Sequence, residues 1–327
     1  MQYRSTRGIT GWGQLGMLIG FTGLGMVLAG LVQVVLGMQL VPSGLPADKM
    51  PEAITAAFAK PENVNYARFL QASGTFLMLA LPALLCLWIA YGKNLFWAGF
   101  NRHISPLQIL IGFFLIFLAN AIAQPLAELS RSVLTHLPSL NALGQKMETL
   151  YNDQVTQLSN LKSWGEFFMA LLIMAFFPAL FEELFFRGVL QNLLERWWKK
   201  PVLALVVTSV VFSLIHMSVF LFLSRMVLGL VLGLMYQQSR NIWVNIVAHF
   251  LNNAIALIQL FWLTRHGQRV EADKLDPSIP IWVALAGLFF LVGLFILFYR
   301  VSEKNRRQIG FEEQNLLDKI HSPLTIS

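Results

Sequence analysis

Residues 167–198 read FFMALLIMAFFPALFEELFFRGVLQNLLERWW, and this stretch decides how the rest of the chain is read. It is long and apolar enough to cross a bilayer as a helix, which takes about 20 residues. Yet it carries Glu182, Glu183 and Arg187. A charge at mid-membrane costs at least ~2.5–3.5 kcal/mol on insertion scales, so such residues are functional candidates. Glu183 and Arg187 stand at i and i+4, on one helix face, and can neutralise each other. Glu182 points about 100° away and has no partner nearby in sequence. Pro178, one turn earlier, is expected to loosen the helix above the carboxylates. Two adjacent buried carboxylates do not both ionise cheaply without cations. Arg187 answers for Glu183, and something else must answer for Glu182.

Composition sets the context. Of 327 residues, 56% are hydrophobic and 13% charged, against about 25% charged in average soluble domains. Mean hydropathy is +0.60. These figures exclude a soluble fold and a disordered chain. They predict an all-α, polytopic membrane bundle with the lipid bilayer as a partner. One cysteine, Cys86 in LPALLCLWIA, permits neither an internal disulfide nor a cysteine zinc site, and reads as a packing residue. The net charge of +7 reflects basic residues at segment ends. No basic–aromatic interleaving points to nucleic acid.

Eight apolar runs are expected as spans: 13–37, 70–91, 105–126, 165–194, 202–222, 224–238, 242–264 and 279–299. The first is Gly-rich, which fits close helix packing, and reads as a retained span rather than a cleaved signal. Gly229 and Gly233 give the short sixth run a small-x-x-x-small face. Arg4, Arg7, Lys93, Arg102, Arg196, Lys199, Lys200, Arg240, Arg300, Lys304, Arg306 and Arg307 fall on one side. The longer loops 42–68, 127–163 and 265–278 mix both signs, as in Arg265, Arg269, Glu271, Asp273, Lys274 and Asp276. The positive-inside rule then places both termini in the cytoplasm, with the plasma (inner) membrane as the expected location. Within 127–163 a Leu-rich, partly amphipathic stretch is expected on the outer surface. The tail from Ser302 is expected as a short helix or disordered. The chain divides into 1–163 (three spans and an outer loop), 164–264 (the polar core) and 265–327 (last span and tail).

The fifth run, VLALVVTSVVFSLIHMSVFLFL, holds His216 with Phe212 one turn before it. Alone, a histidine on an apolar helix is more often a packing residue. The seventh, NIWVNIVAHFLNNAIALIQLFW, aligns His249 and Asn253 at i and i+4, with Asn245 one turn above and Asn252 beside them. Either set could be interhelical hydrogen-bond glue. Concentrated on three spans, with no such group read in the others, Glu182, His216, His249 and Asn253 predict one shared site. Of 17 acidic residues, only Glu182 and Glu183 read as deep in a span. One difficulty concerns depth. At ~1.5 Å per residue, Glu182 lies ~21 Å from Arg196 and His216 ~22 Å from Pro201, but His249 only ~12 Å from Asn241. The seventh helix is therefore expected to start deeper in the protein, with Asn241 lining a wet cavity.

One carboxylate and two imidazoles suit hydrolysis of a peptide bond by activated water. Glu182 would take the proton, His216 would share or orient it, and His249 and Asn253 would donate to the developing oxyanion. The same Glu182, His216 and His249 are also a zinc-ligand set with an open fourth position. The residues leave both chemistries open. They also leave open a non-enzymatic role, as an immunity or scaffold protein or a small transporter using the cluster structurally.

Glu182-Glu183-x-x-x-Arg187, Phe212-x-x-x-His216 and His249-x-x-x-Asn253, with the Gly-rich approach LGLVLGLMYQQSRNIWVNIVAHFLNN, resemble the motifs of the CAAX protease and bacteriocin-processing (CPBP, Abi) family of intramembrane endopeptidases. The resemblance covers about residues 165–264. It implies Glu182 as general base, His216 as its partner, His249 and Asn253 at the oxyanion, and a structural Glu183–Arg187 pair with Phe212 beside it. It also implies a helical bundle with an intramembrane cavity reached from the cytoplasmic side. A membrane-anchored or lipidated peptide or protein is the implied substrate, and zinc remains the alternative cofactor.

Overall fold

The structure, a computed structural model, describes residues 3–158, 161, 163–266 and 279–321. The loop charges Arg269, Glu271, Asp273, Lys274 and Asp276 lie outside them. Among the described residues are ten helices of ten residues or more: α1 (Gly11–Met38), α2 (Met50–Ala59), α3 (Pro61–Tyr91), α4 (Pro106–Leu134), α5 (Pro138–Leu158), α6 (Trp164–Trp198), α7 (Pro201–Ile215), α8 (Phe222–Ser239), α9 (Ile242–Arg265) and α10 (Ile281–His321). The chain is an all-α polytopic membrane bundle.

Six helices, α1, α3, α4, α6, α9 and α10, are long and apolar enough to cross a membrane. The expectation of about eight spans is corrected at α7 and α8. The fifth run does not continue to 222: α7 is 15 residues long, ~22 Å of helix against a core of ~30 Å. It ends on His216, after which Met217 takes φ +51°. The chain turns and returns as α8, so the two form a hairpin. Over residues 302–321, the expected short or disordered tail is instead the continuous end of the 41-residue α10; residues 322–327 lie outside the described residues.

Two of the spans change helix type in front of a proline. In α3 a π-helical stretch, Phe76–Ala80, precedes Pro82, and in α6 another, Leu171–Phe176, precedes Pro178. Proline removes an N–H and crowds the carbonyl one turn back. A widened turn accommodates both. A third π stretch, Leu184–Gln191, starts directly after Glu183 and is buried throughout.

The two largest apolar clusters among the described residues hold the helices together. One joins Leu18, Leu79, Ala83, Phe185, Phe186 and Phe212 from α1, α3, α6 and α7. The other joins Ile111, Leu115, Leu232, Val244 and Phe298 from α4, α8, α9 and α10. The hairpin packs closely because Gly229 and Gly233 carry no side chain: a Cβ at Gly233 would stand 2.4 Å from Leu205 Cδ1 and 2.9 Å from Gln191 Oε1. The expectation for α1 is corrected. Gly11, Gly25 and Gly37 meet neighbours, but Gly16, Gly20, Gly23 and Gly30 face open space. Much of that helix is an outward apolar surface, as Ile19, Leu24, Val27 and Leu31 show.

The start of α9 is buried, and the cause differs from the wet cavity expected. Asn241 is 0% exposed. Its Oδ1 caps the helix by accepting from Trp243 N at 3.0 Å. Its amide donates to Asn101 Oδ1 at 2.8 Å and to the His103 carbonyl at 2.9 Å. Ile242 N donates to the Gly99 carbonyl at 3.0 Å. Gly99, at φ +87°, lies under the Tyr236 ring, where a Cβ would stand 2.8 Å from it. The 99–103 loop thus plugs the end of α9 with protein. The polar half of α10 closes over it through Glu312–His103 (2.8 Å) and Glu313–Arg196 (2.7 Å).

Two identical substitutions in α1 should separate packing from propensity. Gly20→Ala faces open space and should be neutral or stabilising by up to about 1 kcal/mol. Gly25→Ala would put a methyl 2.0 Å from the Leu77 carbonyl oxygen and should destabilise by about 1–3 kcal/mol. Thermal melts of the two proteins in detergent read the difference in sign.

Candidate active site

A capping box starts α6: Ser163 Oγ accepts from Glu166 N at 3.2 Å, and Glu166 accepts from Ser163 N at 3.1 Å. Twenty residues on, the helix delivers Glu182 and Glu183 to different surroundings.

Glu183 is 0% exposed and is the hub of the bundle. Its Oε1 accepts from Arg187 Nη1 at 2.8 Å, and His249 Nδ1 lies 2.9 Å from the same oxygen. Its Oε2 accepts from Asn245 Nδ2 at 3.3 Å. Asn245 also donates to the Leu232 carbonyl at 2.6 Å. Arg187, also 0% exposed, spends Nη2 on the Gly229 carbonyl at 3.1 Å. One carboxylate thereby ties α6 to α8 and α9. Phe212 fills the space between: its ring centroid is 4.8 Å from Arg187 Cζ, 4.7 Å from the His216 ring and 6.3 Å from the His249 ring.

The two histidines are oriented from behind. His216 Nδ1 is 2.6 Å from the Phe212 carbonyl, which only accepts, so Nδ1 carries the hydrogen. His249 Nδ1 faces the Glu183 carboxylate and carries one by the same argument. Both Nε2 atoms then point at one atom: Glu182 Oε2 lies 3.8 Å from His216 Nε2 and 3.9 Å from His249 Nε2. These separations exceed a hydrogen bond and suit a shared small donor between the groups. Glu182 Oε2 is buried and has no hydrogen-bond partner among the described residues. His216 is the most open of the three, with 26% of its side chain exposed.

The structure thus brings together Glu182, His216 and His249, with Glu183, Arg187 and Phe212 behind them. Asn253 stands one turn along α9 from His249, half-buried. Its Oδ1 accepts from Asn252 Nδ2 at 3.4 Å, and among the described residues no hydrogen bond joins it to the trio. Two cavities lie elsewhere, one lined by Gln14, Cys86, Tyr91 and Asn192, the other by Leu234, Gln238, Phe295 and Tyr299.

The donor chemistry of Glu182, His216 and His249 is that of a zinc set, but the spacing is not. Bonds of about 2.0–2.1 Å at tetrahedral angles would place ligands about 3.3 Å apart, closer than the separations here. Among the described residues no group of three or more His, Cys, Asp or Glu is arranged to hold a metal ion. No step is assigned to one.

Two features escape a reading of the sequence. Arg225 lies in the sixth run, which that reading left without an ionisable group, and its Nη1 donates to the His216 carbonyl at 3.1 Å. A basic residue just inside an apolar run was the available signal. Glu195, read as a segment-end charge, is 7% exposed. It accepts from Gln191 at 2.9 Å and Gln237 at 2.7 Å and pairs with Arg240 at 2.8 Å. Gln191 in turn donates to the Gly233 carbonyl at 3.0 Å, one turn below the Arg187–Gly229 bond.

Arg187→Ala would leave Glu183 buried beside two weaker donors. Breaking a buried pair by removing one partner costs about 3–5 kcal/mol. The folded yield and the melting temperature should both fall, as size-exclusion profiles and thermal melts of the purified variant would show.

With the geometry in hand, comparison with known proteins bears on its kind. Residues 164–255 match the family described as Type II CAAX prenyl endopeptidase Rce1-like. A Bacillus subtilis (strain 168) protein described as uncharacterized protein YpbD is 30% identical over 116 residues, 34% of this chain and 51% of that protein. The chain spans about half the length of that curated relative. No solved structure matches. Over residues 164–255, from the start of α6 to the middle of α9, the chain is similar to that family, and the match takes in all three polar motifs.

Proposed function

We propose that the chain is an intramembrane endopeptidase in which Glu182 activates the attacking water. The observation that carries this reading is the buried, unpartnered Glu182 Oε2 facing two imidazole Nε2 atoms at 3.8 and 3.9 Å. Water placed among them donates one hydrogen to Glu182 and the other to His216 Nε2. As its oxygen bonds to the substrate carbonyl carbon, Glu182 takes a proton. It returns that proton to the leaving amine as the C–N bond breaks.

The carbonyl oxygen then needs donors. His249 can supply one from Nε2 only as an imidazolium, since Nδ1 already carries the hydrogen facing Glu183. Asn253, one turn along the same helix, is the second donor in this reading, its amide turning from Asn252 to the substrate. Glu183 and Arg187 take no part in bond making and hold His249 in place.

Substrate, orientation and location follow as parts of the same proposal. The substrate is a peptide or protein segment within or anchored to the membrane, lipidated chains included. The termini lie on the cytoplasmic side of the inner membrane, because the end that holds Arg196, Lys199, Lys200 and Arg240 is the basic one.

Glu182→Gln keeps the shape of the side chain and removes its basicity. Comparing membrane proteomes with wild type and with this variant should reveal peptides cut only by wild type. On such a peptide the purified variant should be slower by about 10²–10⁴-fold, and Asn253→Ala by about 10²–10³-fold, both with unchanged melting temperatures. Wild-type cleavage should survive a zinc chelator. Undiminished cleavage by Glu182→Gln would remove that residue from the role.

A further inference from the structure

Arg225 stands in none of the three motifs, yet it touches the backbone of a site residue. It lies in the first turn of α8, and its Nη1 reaches the His216 carbonyl at 3.1 Å. That carbonyl belongs to the residue on which α7 ends. The next residue, Met217, has φ +51°, a conformation that side-chain-bearing residues hold only when their surroundings impose it. The turn is therefore a place where His216 needs support from outside its own helix.

That support converges from two directions. Within the hairpin, Ser213 Oγ donates to the Phe222 carbonyl at 2.6 Å, and Leu221 N donates to Ser218 Oγ at 3.3 Å. From above, α5 seats the turn. Phe220 is 4% exposed and packs on Gly144, where a Cβ would stand 2.8 Å from the ring. Arg131, ion-paired with Glu148 of α5, lies 5.0 Å from the centre of the same ring. Tyr151 of α5 lies under the Arg225 guanidinium, 5.3 Å from Cζ to the ring centroid. The helix expected to lie on the outer surface has one face on the active-site turn.

We propose that Arg225 is a positioning residue for His216, braced by Tyr151 of α5, and that the Nε2-to-Glu182 geometry depends on it. The internal bond from His216 Nδ1 to the Phe212 carbonyl fixes how the ring is rotated. It does not fix where the last turn of α7 sits, and the Arg225 bond and the Phe220 seat do. Its kinetic consequence rests on the hydrolase reading above, whereas its effect on His216 does not.

Two measurements on the purified full chain test it. The first is the rate at which diethyl pyrocarbonate modifies His216, read by mass spectrometry against the exposed His136 as internal standard. Arg225→Gln should raise that ratio about threefold or more by freeing the turn. Arg225→Lys, which keeps one donor and the charge, should bring it back toward wild type, and Tyr151→Ala should give an intermediate rise. The second is cleavage of a peptide found with the Glu182→Gln comparison. There Arg225→Gln should lower kcat by about 10–100-fold with KM within about twofold, since a misplacement near 1 Å costs up to that much. An unchanged His216 ratio in Arg225→Gln overturns the proposal whatever the kinetics. A rise in KM with kcat intact also overturns it, by making Arg225 a substrate contact. If wild type and Glu182→Gln are equally inactive while the ratio still rises, the positioning role stands and the hydrolase reading falls.

Discussion

A carboxylate buried among helices must be neutralised where it stands, and Glu183 organises the bundle around that requirement. Arg187, one turn along α6, supplies the charge; Asn245 and His249 of α9 fill the remaining acceptor sites; the second guanidinium nitrogen of Arg187 goes to the Gly229 carbonyl of α8. The exchange of desolvation for pairing leaves little net stability. What it fixes is register, because no helix can slide by a turn without stranding a charge. The π-helical stretch that begins at Leu184 lets Arg187 and Gln191 both reach α8, on Gly229 and Gly233.

The reactive arrangement follows from that hub. Because Glu183 occupies His249 Nδ1 and the Phe212 carbonyl occupies His216 Nδ1, each ring has one nitrogen left, and both face Glu182. Adjacent glutamates with nearly identical sequence surroundings thus divide the work. One is saturated with partners and structural. The other keeps a buried oxygen with none among the described residues. Phe212 serves both, as an apolar seat for the Arg187 guanidinium and a surface against which His216 packs.

Much of this was legible in the sequence because it is written at helical spacing. The i, i+4 relation of Glu183 and Arg187, the isolation of Glu182, and mid-run histidines in otherwise apolar stretches follow from periodicity and the cost of charge in lipid. The eight apolar runs each became a helix. Partnership between helices was not legible. Nothing in the spacing tells that Glu183 rather than Glu182 holds His249, that the 99–103 loop caps α9, or that α5 folds onto the 216–222 turn. The end of α7 was hidden because Val219–Phe222 is as apolar as the helix before it, and the break is set by a backbone turn held from other elements. Glu195 directly follows the fourth apolar run, and nothing in the spacing tells that Gln191, Gln237 and Arg240 make a buried site for it.

The division of labour between the two glutamates is the central claim, and one paired measurement reaches it most directly. Glu182→Gln and Glu183→Gln are purified side by side and each is assayed for melting temperature and for cleavage of the same peptide. The account predicts that Glu182→Gln melts with wild type and does not cleave, while Glu183→Gln melts well below it. Equal melting of both variants, or cleavage by Glu182→Gln at the wild-type rate, would contradict it.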